Sequence, residues 1–480
     1  MNRNNIWIHI TLAVVLIAFA AVLGQIDRWR AALTVPTGQP HVRPARTDDP
    51  IVKNGVPEVI VRFKPGVTLK QIRAVAAANN DRLDDEIESV GGLTVIDDLD
   101  NAGSSAVAAQ YSAMSDMVAY AEPNLQIKLD EPIVKESPRD LVHRETSKDS
   151  PNDPMFIEQW ALNNTGADGG TKRADIDALE AWQTTTGSEE VVVAVLDTGV
   201  DYMHEDLREN MWMRPSNVPA YVDDELGQFN DLRGYNGTDN TSDPMDDNGH
   251  GTHCAGIIGA EGNNGVGVVG INWKVKIMPL KFLGRGGFGS TDDAIAAINY
   301  AIDRKKAGVN LRIISASWGS RSRSKALEDT IRAAGDAGIL FVAAAGNDGT
   351  DNDKRGHFPS NYDLPNVLSV AALDRTDQLA SFSNFGGKTV HVAAPGKDIL
   401  STWLNNGYRE ASGTSMATPY VSGVAALIVA NEPRISVKAL RERLLRNGDS
   451  LDGLTGRTVS GGRICAANAL AGAVQNHLPH

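Results

Sequence analysis

From residue 152 onward, short apolar runs alternate with longer stretches of helical spacing. The runs at 191–196, 276–282, 313–317, 339–345, 367–372 and 390–394 predict buried strands, and the stretches at 292–307, 326–337, 414–430 and 436–446 predict helices. Such alternation predicts an α/β fold: a doubly wound, mostly parallel sheet flanked by helices. Sites in such folds lie at the carboxyl ends of strands, which draws attention to Asp197, directly after the first run. Upstream, Val59, Val61 and Phe63 alternate with Glu58, Arg62 and Lys64, the pattern of a half-buried strand. Helices at 69–79 and 106–115 and strands at 92–97 and 117–121 complete a small α+β unit over 55–128. Residues 129–152 are charged and contain Pro132, Pro138 and Pro151. Such a segment cannot bury enough apolar surface to order itself, which predicts an unstructured processing linker. Residues 25–54, with four prolines, predict another linker.

Residues 6–24 are almost wholly apolar behind Met1 and Arg3. That length, about 19 residues, can span a bilayer and also fits an export signal. The residues do not choose between a cleaved signal and a retained anchor, and both place the protein outside the cytoplasm. The net charge of −14 excludes nucleic acid as the main partner, since phosphate binding needs a basic face. The two cysteines, Cys254 and Cys465, make no disulfide framework; free, buried thiols are expected, with a single bridge as the alternative.

Three segments carry candidate chemistry: Asp197-Thr198-Gly199, His250-Gly251-Thr252-His253 and Gly413-Thr414-Ser415-Met416-Ala417-Thr418-Pro419. A serine hydroxyl needs an adjacent base to act as a nucleophile, and the base needs an orienting carboxylate. Ser415 opens a predicted helix, where free N–H groups and the helix dipole favour developing negative charge. Each segment alone has a plainer reading: a helix cap at Ser415, a strand-end turn at Asp197. His253, three residues after His250, is expected to be a structural histidine, because no third metal ligand is evident. Pro419 inside a predicted helix removes a backbone hydrogen bond, so a geometric demand is expected there.

With their flanks, the three segments in the order Asp, His, Ser resemble the subtilisin-like serine proteases, or subtilases. The resemblance implies a subtilisin-like catalytic domain over 153–480, preceded by an inhibitory propeptide over 55–128 with a ferredoxin-like α+β fold. It implies a secreted or membrane-tethered serine endopeptidase made as a zymogen, acting on polypeptides through an acyl-enzyme. In that reading Asp197, His250 and Ser415 are catalytic. Asn347, in Ala344-Ala345-Gly346-Asn347-Asp348-Gly349, donates to the oxyanion. Ser317, Trp318 and Gly319, together with Gly286 and Phe288, bind substrate as strand edges, Trp318 and Phe288 lining side-chain pockets. Structural Ca²⁺ is implied at the loop of Gly262, Asn264, Val266 and Val268 with Asp206, and more weakly Asp153. The acidic run Asp239, Asp243, Asp246 and Asp247 is either a further ion site or solvated. The propeptide is expected to be the intramolecular inhibitor, and the enzyme a monomer. Asp348, beside Asn347, is expected to favour a basic residue before the scissile bond. Tyr420 and Cys465 depart from the residues commoner in relatives. The rival reading is a non-catalytic binding or scaffold protein that keeps the fold; it predicts damage at the Asp, His, Ser or Asn positions. An esterase on another hydrolase fold would need Gly-x-Ser-x-Gly, which the chain lacks.

Overall fold

The computed structural model describes residues 52–53, 56–130, 132–136, 150–223 and 227–472. The proposed export segment at 6–24 and most of the 25–54 linker lie outside them.

The main sheet has nine strands, in the order Tyr235–Asn236, Lys274–Lys281, Gly187–Asp197, Leu311–Ala316, Leu340–Ala344, Val367–Leu373, Val392–Pro395, Gly462–Arg463 and Asp449–Ser450. All neighbours are parallel except the last pair. The strand Gly187–Asp197 shows why the apolar runs are continuous. Val191, Val193 and Val195 join the core on one face, and Val192, Ala194 and Leu196 join the core on the other. Both faces are therefore dry, as a doubly wound sheet requires. The Thr414–Asn431 helix lies in the first of these cores and is buried from Thr414 to Val429. Ser290, Ser324 and Ser436 cap the outer helices Thr291–Lys306, Lys325–Asp336 and Val437–Arg446 through bonds to backbone N–H groups.

Residues 56–123 form a smaller antiparallel sheet in the order Asp81–Glu86, Leu93–Asp98, Val56–Phe63, Val118–Pro123. With helices Leu69–Ala78 and Ser104–Ala113, this is the βαββαβ arrangement of ferredoxin-like units. Val59, Val61 and Phe63 pack under its own helices. The other face of this strand is not solvated. Ile60 packs into the core shared with the large unit, and Arg62 pairs with Asp329.

The small unit is fastened to the N-termini of two helices of the large one. The Glu122 carboxylate accepts from Ser324 Oγ (2.5 Å), Lys325 N (2.9 Å) and Ala326 N (3.1 Å). Asn124 Oδ1 accepts from Asp292 N (3.2 Å) and Tyr120 donates to Asp329 (2.9 Å). A carboxylate at a helix N-terminus satisfies free N–H groups and meets the positive end of the dipole.

Beyond this unit the chain enters the cleft of the large one. Gln126–Lys128 runs antiparallel to Phe288–Ser290, and Ile133–Glu136 runs antiparallel to Gly407–Ser412. The latter strand also pairs with Ile399–Trp403. This corrects the expectation that 129–152 cannot order itself, at least for its first residues. The ladder bonds come from a preformed sheet edge and need little apolar burial: Ile133 remains largely exposed.

Candidate active site

Asp197 closes the strand Gly187–Asp197, and its Oδ1 accepts from His250 Nδ1 (2.7 Å) and from Thr198 N (2.7 Å). Both side chains are buried. His250 opens the helix His250–Gly259 behind Gly249 at φ +112°. A Cβ at 249 would meet Trp403 Cε2 at 2.4 Å, so glycine is required on both counts. The turn is locked by Asp246, whose carboxylate accepts from Thr198 Oγ1 (2.9 Å), Asn248 N (2.9 Å), Gly249 N (3.0 Å), Thr252 N (3.0 Å) and Thr252 Oγ1 (2.6 Å). Thr198 Oγ1 in turn accepts from Gly251 N (2.9 Å). Asp246 is thus filled by protein donors, and Asp247 pairs with Lys281 (2.8 Å). The sequence reading missed this positioning role because an acidic run looks solvated.

Ser415 is the second residue of the Thr414–Asn431 helix. Pro419 has no N–H for the carbonyl four residues back, which is that of Ser415. That freed carbonyl accepts instead from Ser317 Oγ (2.8 Å) and Cys254 Sγ (3.5 Å). The demand behind Pro419 is therefore visible: it releases an acceptor that ties the Ser415 turn to two neighbouring segments. The Cys254 thiol also lies within 4.8 Å of a His250 ring nitrogen and an Asp197 oxygen. Burial pushes its pKa well up, so it stays a neutral thiol. Ser415 Oγ donates to Ser317 O (3.0 Å), and His250 Nε2 is buried with no hydrogen-bond partner among the described residues.

Asn347 Oδ1 accepts from Thr414 N (2.8 Å) and Thr414 Oγ1 (2.9 Å), which turns Nδ2 the other way. A Cβ at Gly413 would lie 3.3 Å from that Nδ2 and 3.6 Å from Ser415 N. Two N–H donors thus border one small space beside Ser415, a geometry suited to an oxyanion.

The substrate-edge residues divide. Ser317 holds Ser415 through both its carbonyl and its hydroxyl. Phe288 lies on the Gln126–Lys128 ladder, 40 % exposed, with Lys128 Nζ 5.4 Å from its ring centroid. Gly286 carries none of that ladder's pairs; Leu129 N donates to Gly287 O instead (2.7 Å). Gly319 abuts the ring of His357. Trp318 requires a correction. Its ring is 1 % exposed, lies against Phe282 with centroids 4.6 Å apart, and donates Nε1–H to Leu196 O (2.9 Å). It is core, and an indole N–H finds a buried carbonyl there. Asp348 is 53 % exposed and engaged by Arg321.

In the loop expected to hold calcium, Asp206 accepts from Asn264 Nδ2 (2.9 Å), Val268 N (3.0 Å) and Tyr408 (3.3 Å), while Asp153 Oδ2 accepts from Asn263 N (2.7 Å). Val266 N donates to Asn264 Oδ1 (2.7 Å), and Gly262 lies against Trp273. Asp153 Oδ1 is buried without a partner among the described residues. Burial raises the Asp206 pKa to about 7 and that of Asp153 to about 6. Two buried carboxylates, the Asp153 charge adding to the rise at Asp206 and one Asp153 oxygen lacking a donor among the described residues, fit a hard cation. His253 is structural: its Nε2 lies 3.1 Å from Ile399 O and 3.0 Å from Arg409 O, and burial lowers its pKa to about 3. Cys254 and Cys465 are both free and buried.

Residues 188–462 match the subtilase family, more than half of the chain. A thermophilic serine proteinase of Bacillus sp. (strain AK1) is 34 % identical over 426 residues, 86 % of this chain and 87 % of that one. Thermitase of Thermoactinomyces vulgaris is 34 % identical over 321 residues, 67 % of this chain and 99 % of the relative. The crystal structure of fervidolysin from Fervidobacterium pennivorans superposes with a TM-score of 0.67 at 24 % identity, over 90 % of this chain and 64 % of that one, and so shares the fold. Segment order, sheet topology and these matches agree, and the chain belongs to the subtilase family of serine endopeptidases.

Proposed function

We propose that this serine endopeptidase is made as an exported zymogen and cuts peptide bonds with Ser415 as nucleophile, His250 as base and acid, Asp197 as the orienting carboxylate, and Asn347 with Ser415 N as oxyanion donors. The Asp197 bond to Nδ1 fixes the imidazole tautomer that leaves Nε2 able to accept a proton. For attack, Ser415 Oγ turns from Ser317 O toward Nε2. As Oγ bonds to the peptide carbonyl carbon, His250 takes its proton and the two N–H donors receive the developing negative charge. His250 then protonates the leaving amine, and water resolves the acyl-enzyme by the same steps in reverse.

The observation that carries this reading is the path of the chain itself. Residues 126–129 pair with one edge of the cleft and 133–136 with the other, either side of the Ser415 turn. Pairing with an exposed edge is how an extended peptide is recognised, so the cleft accepts polypeptide, and the small unit, docked beside it, acts as intramolecular inhibitor. Ca²⁺ bound by Asp206, Asp153 and the 262–268 loop would supply charge neutralisation and hold that loop. The apolar stretch at 6–24 supports export; among the described residues, no helix is long and apolar enough to cross a membrane.

Expression of wild type and Ser415→Ala tests the reading. Wild type should separate into two fragments and digest casein. Ser415→Ala should remain a full-length precursor with no activity; digestion by that variant would end the proposal.

A further inference from the structure

The way the chain crosses its own cleft identifies the class of side chain the cleft accepts, an inference that rests on the proteolytic reading above. Leu129 is tied to Gly287, and Ile133 stands opposite Ser412, three residues before Ser415. The first residue of the crossing is Asp130. Its Oδ2 lies 3.3 Å from Nε2 of His357, whose side chain is almost wholly buried. His357 N donates to Asn361 Oδ1 (3.1 Å) and its Nδ1 faces Ser360 Oγ at 3.5 Å.

The imidazole stands between two glycines. A Cβ at Gly319 would lie 2.1 Å from its Cε1, and a Cβ at Gly346 would lie 2.8 Å from its Cδ2. Gly319 is two residues beyond Ser317, whose carbonyl receives Ser415 Oγ, and Gly346 directly precedes Asn347. The ring is therefore wedged between the two segments that flank the nucleophile. Its Nε2 is the polar atom that faces the Asp130 carboxylate. Asp348, next in sequence after Asn347, is engaged by Arg321, which offsets its charge.

We propose that this first side-chain pocket selects an acidic residue, with His357 as its specificity-determining residue, and that the chain cuts itself at the peptide bond after Asp130. An N–H at the base of a pocket is paired by a carboxylate and left unpaired by an apolar side chain, and such a loss discriminates strongly. In the cut, Ser415 Oγ forms an ester with the Asp130 carbonyl carbon and the C–N bond to the next residue breaks. The released nitrogen takes the proton held by His250. Water then hydrolyses the ester, freeing Ser415 and leaving Asp130 as the new C-terminus of the small unit.

Two measurements test this. Mature enzyme is assayed on fluorogenic peptides Gln-Ile-Lys-Leu-X, copying 126–129, with X as Asp, Asn, Leu, Phe or Lys. The released small unit is weighed by intact mass spectrometry. The Asp peptide should exceed the Asn and Leu peptides in kcat/KM by about 10–100-fold, the scale of a hydrogen bond to a charged group. His357→Leu should collapse the Asp-to-Leu ratio by about the same factor, and the released fragment should end at Asp130. Because His357→Leu changes a buried position, Asp130→Leu provides a second variant that leaves the pocket intact; its precursor should mature about tenfold more slowly or worse. A wild-type preference for Leu, Phe or Lys, an unchanged ratio in His357→Leu, equal maturation of Asp130→Leu, or a fragment ending elsewhere would overturn the proposal. A wild type that cuts no peptide and takes up no fluorophosphonate would instead overturn the proteolytic reading beneath it.

Discussion

The two sheets of this chain solve the burial problem in opposite ways. The large sheet is covered on both faces by its own helices, and the proposed active site is assembled from its own segments: Asp197, the Gly249–His250 turn, Asn347 and Ser415. The small sheet covers one face with its own two helices and leaves Ile60 and Arg62 to be covered by the large unit. Glu122 and Asn124 find their partners on two helices that are not theirs. A unit of this size has a thin margin of stability by itself. The asymmetry is one of dependence: the small unit relies on the large one for burial and charge partners, while the proposed site needs none of the small unit's side chains.

The comparison breaks if damage to the site spreads to the small unit, or the reverse. The largest effect is expected for Ser415→Ala: a loss of order 10⁶ in kcat, the scale known for subtilisin, with the melting temperature of the precursor unchanged. Asn347→Ala should lower kcat by about 10²–10³ with little change in KM, again the subtilisin scale, measurable on any good peptide substrate.

With Ca²⁺ bound as proposed, its removal should act on the large unit alone. Asp206 and Asp153 have pKa values of about 7 and about 6, raised above the ordinary carboxylate value. A raised folded pKa contributes stability that is full below the unfolded value and lost as pH rises through the folded one. Chelated protein should therefore melt progressively lower from pH 4 to pH 8. Calcium-loaded protein should not, because the ion favours the ionised carboxylates; at a hundredfold excess over Kd it should add about 2.7 kcal/mol. A calcium effect that shrinks toward pH 8 would contradict the assignment. The smallest effect is expected for Glu122→Ala in the Ser415→Ala precursor. Losing a charged cap of two N–H groups should cost about 1–3 kcal/mol, read as faster hydrogen exchange over 56–128 and unchanged exchange in the large sheet.

The contrast between the sheets also marks what the sequence could reveal. Runs such as Val191–Leu196 were legible because dry packing on both faces leaves no room for polar residues. The site segments were legible because each carries its chemistry within a few residues. The strand Asp81–Glu86 was not, since Asp-Arg-Leu-Asp-Asp-Glu has no apolar alternation and is held by its ladder to Leu93–Asp98. Ile133–Glu136 was hidden for a different reason: its partner edge is remote in sequence. Trp318 misled because an aromatic beside a cleft segment can turn into the core when a carbonyl such as that of Leu196 awaits its N–H. His357 carries no motif of its own; only the fold brings Gly319 and Gly346 to either side of it.

The most direct test of the whole account is the site of covalent labelling. Mature enzyme treated with a fluorophosphonate and mapped by mass spectrometry should carry one adduct, on Ser415, and His250→Ala should abolish it. An adduct on a different serine, or labelling of Ser415 that persists undiminished without His250, would contradict the account.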